Sequence, residues 1–451
     1  MAGMEPHALG LRALHAAYKD GRLTAPDYIR ALNERIAALE PRIQAFEWFE
    51  PARAMAEAEE RSGGILKDLP LYGVPVGVKD IIATRGIPTR MGSRIFANHV
   101  PGRSAGLVRR LEALGGLVMA KTVTTEFAYR HPGKTRNPWN LAHTPGGSSS
   151  GSAAAVAAGF VPVAIGTQTL GSVIRPAAFC GVVGYKPSFG AISRDGVHPF
   201  SKTLDHVGVF ARSVEDAAWF GACLMGLDLR DEATGIRAAM RSLSVPLAPL
   251  GHAPRLAVVK TPKWSIASEA QRANFTEAAA NLKDAGALVR EVPLPAAFNE
   301  AWNVVGAIMD YDAARGFASL ESRHRMQLSP PLVELLDRGK RITPEQHARN
   351  LARREEYRRW LDGLYDGCDA ILAIPAAGEA PSGFGNTGDA TFCSLWTLAG
   401  LPAITMPSGR GPRGLPLGVQ VVGRYREDER ALQVAAWCEA VLGVKPGLAG
   451  G

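Results

Sequence analysis

The amino-acid sequence predicts an α/β protein in which helices cover both faces of a central β-sheet. Short β-branched segments bounded by glycine alternate along the chain with longer segments of helical periodicity, and this alternation is typical of α/β architectures. The 451 residues are 46% hydrophobic and 21% charged, which is the composition of a globular protein. A chain of this length and composition can bury a large core, so general disorder is excluded.

The first part of the chain, residues 5–60, is predicted to be helical. Leucine, isoleucine and tyrosine recur there at intervals of three or four positions. Thr24 is followed by Ala25 and Pro26, an order that predicts an N-cap at Thr24 and a proline in the first helical turn. We therefore expect a helical N-terminal region over residues 1–65.

Buried strands are predicted where a short apolar run ends at a glycine or a polar residue. The most informative run is GVPVGVKD at residues 73–80, which ends in Lys79 and Asp80. The predicted strands cover residues 71–80, 117–121, 255–259, 369–375 and 419–423, and helices are predicted over residues 106–114 and 268–285.

The net charge of +8 raises the question of an acidic partner. The densest basic stretch, residues 349–359, is interrupted by Glu355 and Glu356, and Glu355 is spaced to pair with Arg359 on a helix. We interpret this stretch as a solvated helix face, with a partner surface as the alternative. No nucleic-acid partner is expected, because the basic residues are not gathered into one uninterrupted patch.

Cysteine usage and the lengths of apolar runs bear on the cell compartment. The five cysteines lie far apart without a Cys-x-x-Cys pair, which argues against a disulfide framework and a cysteine zinc site. The first 21 residues contain no apolar segment of the signal-peptide type. The longest apolar run, residues 153–165, is shorter than the roughly 20 residues that span a bilayer. These observations predict a cytoplasmic protein without membrane association.

Residues 137–174 have an unusual composition. They contain no Asp, Glu, Lys or Arg and are rich in glycine, serine, threonine and alanine. A surface loop would contain charge, and a flexible linker would not contain the apolar residues of 153–163. Close backbone packing around a reaction centre explains this composition better.

Three familiar types of active site fit this segment and the residues just after it poorly. The glycine spacing of residues 146–151 is that of a phosphate loop, but Ser152 stands where the loop needs a lysine. Residues 147–151 match the G-x-S-x-G elbow of α/β-hydrolases, but the last histidine, His347, precedes two predicted strands, so a catalytic histidine in the expected place is missing. Cys180 has the apolar, glycine-flanked setting of a small core residue and not of a thiol nucleophile.

Serine and lysine chemistry fits the remaining candidates. Lys79 ends an apolar strand, Ser148 lies in a glycine–serine turn, and Ser172 follows GTQTLG at residues 166–171. A serine hydroxyl needs a base to attack a carbonyl at neutral pH, and lysine serves only when its amine is uncharged. Burial away from any carboxylate lowers a lysine pKa, and Asp80 is expected on the opposite side of the extended chain.

These motifs together resemble the amidase-signature family of serine hydrolases. The resemblance covers residues 71–214 and resumes near residue 398. It rests on GVKD (77–80), KTVTTEFA (121–128), NPWN (137–140), TPGGSS (144–149), GVVGYKP (181–187), LDHVG (204–208), LAGLPAI (398–404) and GLPLGVQ (414–420).

The resemblance implies one large domain over residues 1–451, with a mixed, twisted central sheet covered by helices on both faces. Residues 71–214 would form the catalytic core segment and 391–445 a C-terminal core segment. Residues 230–390 resemble the family only loosely, and we expect them to form a variable substrate-pocket region. Trp302, Tyr311, Phe317 and Trp396 are the aromatic candidates for the pocket in and near this region.

The resemblance also implies a Ser–Ser–Lys triad. Ser172 would be the nucleophile, Ser148 a bridging serine with an unusual cis peptide bond, and Lys79 the base. The oxyanion would be bound by the backbone amides of Thr169, Leu170, Gly171 and Ser172. Gln168 and Leu170 depart from the common Asp and Gly of the family; backbone donors tolerate Leu170, although its bulk would narrow the acyl pocket.

Four further residues are predicted to contact substrate. Gly146 and Gly147 would permit the tight turn at Ser148, and the serines of that turn would also cap the helix that follows. Phe127 is either a pocket wall or a core aromatic. Arg175 either binds a substrate carboxylate or, as we favour, is a structural arginine bonded to a buried carboxylate or to carbonyls.

We therefore expect an amidohydrolase that cleaves a carboxamide, carbamate or ester bond through an acyl-enzyme on Ser172. The chemistry needs no metal and no organic cofactor. The expected binding partner is a small-molecule amide substrate. For the hydrolase we consider one quaternary structure, a homodimer. The alternatives are the A subunit of an aminoacyl-tRNA amidotransferase and a non-catalytic binding module on the same scaffold.

Overall fold

The computed structural model describes residues 5–61, 65–239, 243–444 and 447–449. Residues 1–4, 62–64, 240–242 and 445 of the predicted regions lie outside the described residues. The β-strands are β1 (Phe46–Phe49), β2 (Pro75–Lys79), β3 (Leu117–Thr122), β4 (Val163–Gln168), β5 (Val183–Lys186), β6 (His206–Ala211), β7 (Arg255–Val258), β8 (Leu288–Glu291), β9 (Ala370–Ala373), β10 (Ala403–Arg410) and β11 (Pro416–Val422). The α-helices are α1 (Leu11–Lys19), α2 (Ala25–Ile43), α3 (Pro51–Arg61), α4 (Gly106–Ala113), α5 (Ser150–Ala157), α6 (Ile174–Cys180), α7 (Val214–Leu224), α8 (Glu269–Asp284), α9 (Ala301–Gly316), α10 (Ala318–His324), α11 (Pro330–Lys340), α12 (Pro344–Leu364), α13 (Thr391–Leu398) and α14 (Asp428–Leu442).

The strands form a single mixed sheet in the order β1-β3-β2-β4-β6-β5-β10-β11-β9-β7-β8. Strand β2 is parallel to both of its neighbours, β3 and β4, whereas the middle of the sheet from β4 to β9 is antiparallel. The prediction of an α/β protein with a mixed central sheet is therefore confirmed. The C-terminal ends of β2 and β4 lie side by side, so residues that follow them in the chain can share one site.

Both faces of this sheet are covered. In β7 and β9 successive residues alternate between two hydrophobic clusters: Leu256 and Leu372 pack in one, and Ala257 and Ile371 pack in the other. Alternate strand residues point to opposite faces, so each cluster marks one face. The first cluster includes residues of α7, α8 and α14, and the second includes residues of α9, α11, α12 and α13.

The N-terminal region is helical except for one strand. Helix α2 begins as predicted, because Thr24 is its N-cap and accepts a hydrogen bond from the Asp27 amide at 3.2 Å. The expectation that residues 5–60 are entirely helical is wrong, since β1 pairs with β3 at the edge of the sheet. The segment FEWF is only four residues long, too short to show a strand period against the helices on either side.

One side of the basic stretch on α12 packs against the protein itself, whereas Arg353 and Arg359 are exposed, as expected of a solvated face. Arg354 and Arg358 each donate a hydrogen bond to a carbonyl oxygen at the C-terminal end of α13, at 2.8 Å. Cations there complement the partial negative charge of the helix end. Glu355 pairs with these two arginines and not with Arg359, so the predicted i,i+4 pair is wrong, and this part of the stretch is not a solvated face.

The five cysteines are buried and free. No helix among the described residues is long and apolar enough to cross a membrane. The same part of the chain contains no cluster of three or more His, Cys, Asp or Glu side chains that could bind a metal ion.

Candidate active site

A cavity of about 740 Å³ brings together residues that are far apart in the sequence. Ser148 and Ser172 both line it, together with residues 169–171 of the loop that joins β4 to α6. The region expected to be variable supplies Met309, Pro331, Glu334 and most of residues 377–390. The cavity wall is therefore built from the two parts of the chain that the sequence assigned to catalysis and to substrate selection.

Lys79 lies at the end of β2 and is fully buried. Its Nζ is 2.7 Å from Ser148 Oγ and 2.8 Å from Thr167 Oγ1, and neither contact is with a carboxylate. Burial holds the pKa of Lys79 well below its ordinary value, and the Arg175 guanidinium lowers it further. The carboxyl group of Asp205 opposes this shift, so Lys79 is not as free of acidic neighbours as the sequence led us to expect.

Asp80 faces a different lysine. Its Oδ1 lies 3.4 Å from Nζ of Lys121, the corresponding buried lysine of β3. Lys121 also donates a hydrogen bond to Thr89 Oγ1 at 2.6 Å. The carboxyl group that follows Lys79 in the sequence is thus engaged elsewhere, and Lys79 keeps its hydroxyl partners.

The turn that contains Ser148 has two unusual backbone features. The peptide bond between Gly147 and Ser148 is cis. Gly146 has φ +82°, and a Cβ atom there would approach Cα of Pro176 to 2.9 Å. Only glycine fits a left-handed residue pressed against another backbone in this way.

The serines after Ser148 do not cap helix α5 with their side chains. Ser149 is the N-cap residue but makes no capping hydrogen bond. Its hydroxyl donates to the Thr167 carbonyl at 3.2 Å, and the Ser150 hydroxyl donates to the Gly146 carbonyl at 2.7 Å. The capping prediction is wrong because these hydroxyls tie the turn to β4 and to itself.

The loop of residues 169–172, which we call the 169–172 loop, presents backbone donors beside Ser172. The amides of Leu170, Gly171 and Ser172 have no hydrogen-bond acceptor among the residues that the structure describes. All three residues line the cavity. Such amides can donate to an oxygen atom that enters the site.

Arg175 is buried in the cavity wall three residues after Ser172. Its Nη2 donates to the Gly147 carbonyl at 2.6 Å and to Thr387 Oγ1 at 3.2 Å. The favoured interpretation of a structural arginine bonded to carbonyls agrees with these contacts. Its Nε–H, however, is buried without a hydrogen-bond partner among the described residues, and burial lowers the pKa of the guanidinium.

Three of the predicted substrate contacts are not cavity residues. Phe127 packs against the rings of His198 and Phe317 at centroid distances of 5.2 and 5.4 Å, so it is a core aromatic. Gly146 and Gly147 also do not line the cavity. The positive φ of Phe127, 46°, turns its side chain into this aromatic cluster.

The aromatic candidates of the variable region do not line the cavity either. Trp396 and Phe317 are buried in the core, and the Trp302 indole donates to the Thr391 carbonyl at 3.0 Å. Tyr311 stacks on His347 at 3.9 Å. The aromatic wall is formed instead by Tyr129, Phe179 and Phe200 of the core segment.

Two polar residues near the site were not singled out from the sequence. Thr167 contacts Lys79, as described above, and Asp205 accepts a 2.6 Å hydrogen bond from Thr169 Oγ1 in the 169–172 loop. Both lie within quoted motifs, GTQTLG and LDHVG. Their position in those motifs was the available indication, because threonine and aspartate are common in purely structural roles and residue type alone does not distinguish these two.

The chain is similar to amidases over most of its length. A family model described as Amidase matches residues 27–432. The chain is 33% identical to the A subunit of the glutamyl-tRNA(Gln) amidotransferase from Oleidesulfovibrio alaskensis over 98% of each chain. The native peptide amidase from Stenotrophomonas maltophilia superposes with a TM-score of 0.83 at 30% identity, covering 99% of this chain and all of the other. 6-Aminohexanoate cyclic dimer hydrolase complexed with substrate superposes with a TM-score of 0.85 at 25% identity and the same coverage.

Proposed function

This chain belongs to the amidase family of hydrolases that act on carbon–nitrogen bonds, and we propose that it hydrolyses a carboxamide, or a related carbamate or ester, through an acyl-enzyme on Ser172. The observation that supports this most directly is the 2.7 Å contact between the buried Lys79 amine and Ser148 Oγ, in the same site as Ser172. A buried lysine without a carboxylate partner is held uncharged more easily and can act as a base.

Acylation begins with two coupled proton transfers. Ser172 Oγ attacks the substrate carbonyl carbon while its proton passes to Ser148 Oγ, and the Ser148 proton passes to the uncharged Lys79 amine. The carbonyl π electrons move to oxygen, and the amides of the 169–172 loop stabilise the resulting oxyanion. When the carbon–nitrogen bond breaks, the proton returns from Lys79 through Ser148 to the leaving nitrogen.

Deacylation repeats the sequence with water. A water molecule replaces the departed amine, loses a proton to Lys79 through Ser148, and attacks the acyl carbon. The carbon–oxygen bond to Ser172 breaks, and Ser172 recovers its proton by the same route. The products are the carboxylic acid and the amine or ammonia, and the enzyme returns to its starting protonation state.

We propose a substrate with a further acceptor oxygen. Leu170 lines the cavity close in sequence to Ser172, and we expect its bulk to narrow the space for the acyl group. We propose that the unpartnered Nε–H of Arg175 donates to a substrate oxygen, such as that of a carboxylate, while its Nη2 holds the Gly147 carbonyl. Of the two solved relatives described above, one is a peptide amidase by name and the other a 6-aminohexanoate cyclic dimer hydrolase, and the first supports an amide substrate.

A second candidate function is that of an amidotransferase A subunit. The 33% identity to the A subunit of a glutamyl-tRNA(Gln) amidotransferase, over 98% of both chains, favours it. This identity does not separate the two functions, because both use the same proposed triad. An enzyme that works alone needs only the cavity described above, whereas an amidotransferase also needs partner subunits and tRNA.

Covalent labelling of the nucleophile tests the proposed function. A fluorophosphonate should label the wild-type protein on Ser172, as mapped by mass spectrometry, and Ser172→Ala should lose both labelling and amide hydrolysis while keeping the wild-type circular dichroism spectrum. Cys180→Ala is the matched control, because burial raises the pKa of that thiol and the hydrogen bond that its Sγ makes among the described residues is to the Pro145 carbonyl. Substantial hydrolysis by Ser172→Ala would refute the proposal.

A further inference from the structure

We infer that Thr397, on helix α13, is a positioning residue that aims the oxyanion donors of the 169–172 loop, and that Gln168 orients it for this task. The inference rests on the proposed function, because it concerns the amides expected to bind the oxyanion. It assigns a role to α13, which belongs to the C-terminal part of the chain and supplies no triad residue. It also explains the glutamine at position 168.

The side chain of Gln168 has a fixed orientation. Its Oε1 accepts hydrogen bonds from the amides of Val173 and Ile174, at 2.8 and 3.0 Å. Since two N–H groups face this end of the carboxamide, the other end must be the NH₂ group. That Nε2 donates to Thr397 Oγ1 at 2.9 Å.

The bond from Gln168 determines where the Thr397 proton goes. A threonine hydroxyl has one proton to donate, and one of its lone pairs accepts the Nε2–H of Gln168. The carbonyl oxygen of Leu170 lies 2.8 Å from Thr397 Oγ1, closer than that of Cys393 at 3.2 Å. Thr397 is fully buried, so no solvent competes for this proton. The hydroxyl therefore donates to Leu170.

Anchoring a carbonyl oxygen also aims the amide that shares its peptide unit. The C=O of Leu170 and the N–H of Gly171 belong to one peptide plane, which is trans, so they point in opposite directions. With the Leu170 oxygen held by Thr397, the Gly171 N–H is directed away from α13. This amide has no acceptor among the described residues, and Gly171 lines the cavity.

The next peptide unit is anchored in the same way. The Gly171 carbonyl oxygen accepts a hydrogen bond from the Arg175 amide at 2.9 Å, inside the first turn of α6. The Ser172 N–H in that plane consequently points away from α6. The two successive donors are thus aimed by two anchors, and only the Thr397 anchor is a side chain that substitution can remove.

The space around the loop explains why its position is sensitive to α13. A Cβ atom at Gly171 would lie 3.1 Å from the Cβ atoms of both Ala390 and Cys393, so the loop already packs tightly on this helix. Without the Thr397 hydroxyl, the Leu170 carbonyl and the buried Gln168 NH₂ would both lose their partner, and the loop would move to satisfy them. The movement would misplace the oxyanion donors while leaving the Lys79 contacts in place.

Isosteric replacement of Thr397 tests this inference. Thr397→Val keeps the shape of the side chain but removes the hydroxyl, and we expect kcat for amide hydrolysis to fall by about 10- to 100-fold with KM changed far less, because removal of an oxyanion donor itself costs about 10²- to 10³-fold. A substrate-like aldehyde or boronic acid, which forms a tetrahedral adduct with Ser172, should bind more weakly by a similar factor. The acid limb of the pH profile should stay where it is in the wild type.

Two further variants separate positioning from general damage. Thr397→Ser keeps the hydroxyl and should restore most of the activity. Ser394→Ala, on the same helix, removes a hydroxyl whose hydrogen bond among the described residues is to the carbonyl of Ala390, the N-cap of α13, and it should be nearly neutral. If Thr397→Val does not fold, the comparison of Thr397→Ala with Thr397→Ser replaces it.

The outcomes distinguish this inference from the proposed function. Wild-type kcat in Thr397→Val, with Ser172→Ala inactive, would overturn the role of Thr397 and leave the triad intact. A loss of kcat without weaker binding of the tetrahedral adduct would also overturn it. Activity in Ser172→Ala would instead remove the proposed function itself.

Discussion

Lys79 and Lys121 show how two buried lysines at the ends of neighbouring strands acquire different properties. Burial lowers the pKa of both. Lys121 lies 3.4 Å from the Asp80 carboxylate, which favours its charged form. Asp205 acts on Lys79 in the same direction, but the hydrogen bonds of the Lys79 amine are to two hydroxyl groups, which can share protons with an uncharged amine. The difference in neighbours, and not in burial, makes Lys79 the candidate base.

The lowered pKa of Lys79 predicts the pH dependence of the reaction. The active form has an uncharged amine, so kcat/KM should be constant above the Lys79 pKa and fall as the pH drops through it. This fall is the acid limb of the pH profile. An ordinary lysine would place the acid limb near pH 10.4, and burial should move it well below that value. Lys79→Met should lower kcat/KM by about 10²- to 10⁴-fold, the usual contribution of a general base. A pH–rate profile of wild type and variant measures both effects.

A limb that stays near pH 10 in the wild type would contradict this prediction. A Lys79→Met variant with an unchanged profile would exclude Lys79 as the base. Asp205 opposes the downward shift, so Asp205→Asn should move the limb to still lower pH.

The motifs that carry the family resemblance were enough to predict that Lys79, Ser148 and Ser172 lie near one another. The contacts that refine the site join residues far apart in the chain, and no local pattern shows them. The Thr397 hydroxyl, for example, meets the Leu170 carbonyl across 227 positions. Phe127 could be either wall or core from sequence, because its burial depends on two distant rings that pack against it, His198 before β6 and Phe317 just after α9.

At the scale of elements, strand ends were easier to predict than turns. Strand β2 and the cap of α2 follow from local composition. A short apolar run and the order Thr–Ala–Pro are each compatible with few other local structures. The serines before α5 were misassigned because a hydroxyl at a helix start can cap the helix or bond elsewhere. Here the Thr167 carbonyl of β4 lies close enough to accept a hydrogen bond from the Ser149 hydroxyl. The position of β4 depends on the order of strands in the sheet, which the local sequence does not show.

The buried ion pair between β2 and β3 allows a prediction about stability. Lys121→Met would leave the Asp80 carboxyl buried without its partner, and we expect the free energy of unfolding to fall by about 3–5 kcal/mol. The double variant Lys121→Met with Asp80→Asn should recover much of this loss, because no charge then remains buried. Urea unfolding followed by circular dichroism measures both variants. Equal losses in the single and double variants would show that the pair does not hold the two strand ends together.

At the scale of the whole molecule, the sheet order explains how a single chain completes the site. Ser148 comes from the segment between β3 and α5, and Ser172 and the backbone donors come from the loop after β4. Helices α9 and α11 and most of residues 377–390 close the cavity from the other part of the chain. The family resemblance was strong for the first group and weak for the second. We therefore propose that substrate selection depends on the second group, whose side chains the sequence could not place.

This completeness predicts that the purified chain hydrolyses small carboxamides without partner subunits. Every group in the proposed proton path and oxyanion site belongs to this chain. Adding amidotransferase partner subunits or tRNA should therefore not raise kcat/KM for amide hydrolysis. The measurement is ammonia release from a panel of aliphatic, aryl and carboxylate-bearing amides, with tRNA binding followed by fluorescence anisotropy at several salt concentrations. The net charge of +8 allows weak, salt-sensitive tRNA binding, which would disappear at high ionic strength. Hydrolysis that appears only when partner subunits and tRNA are present would instead assign the chain to the amidotransferase function.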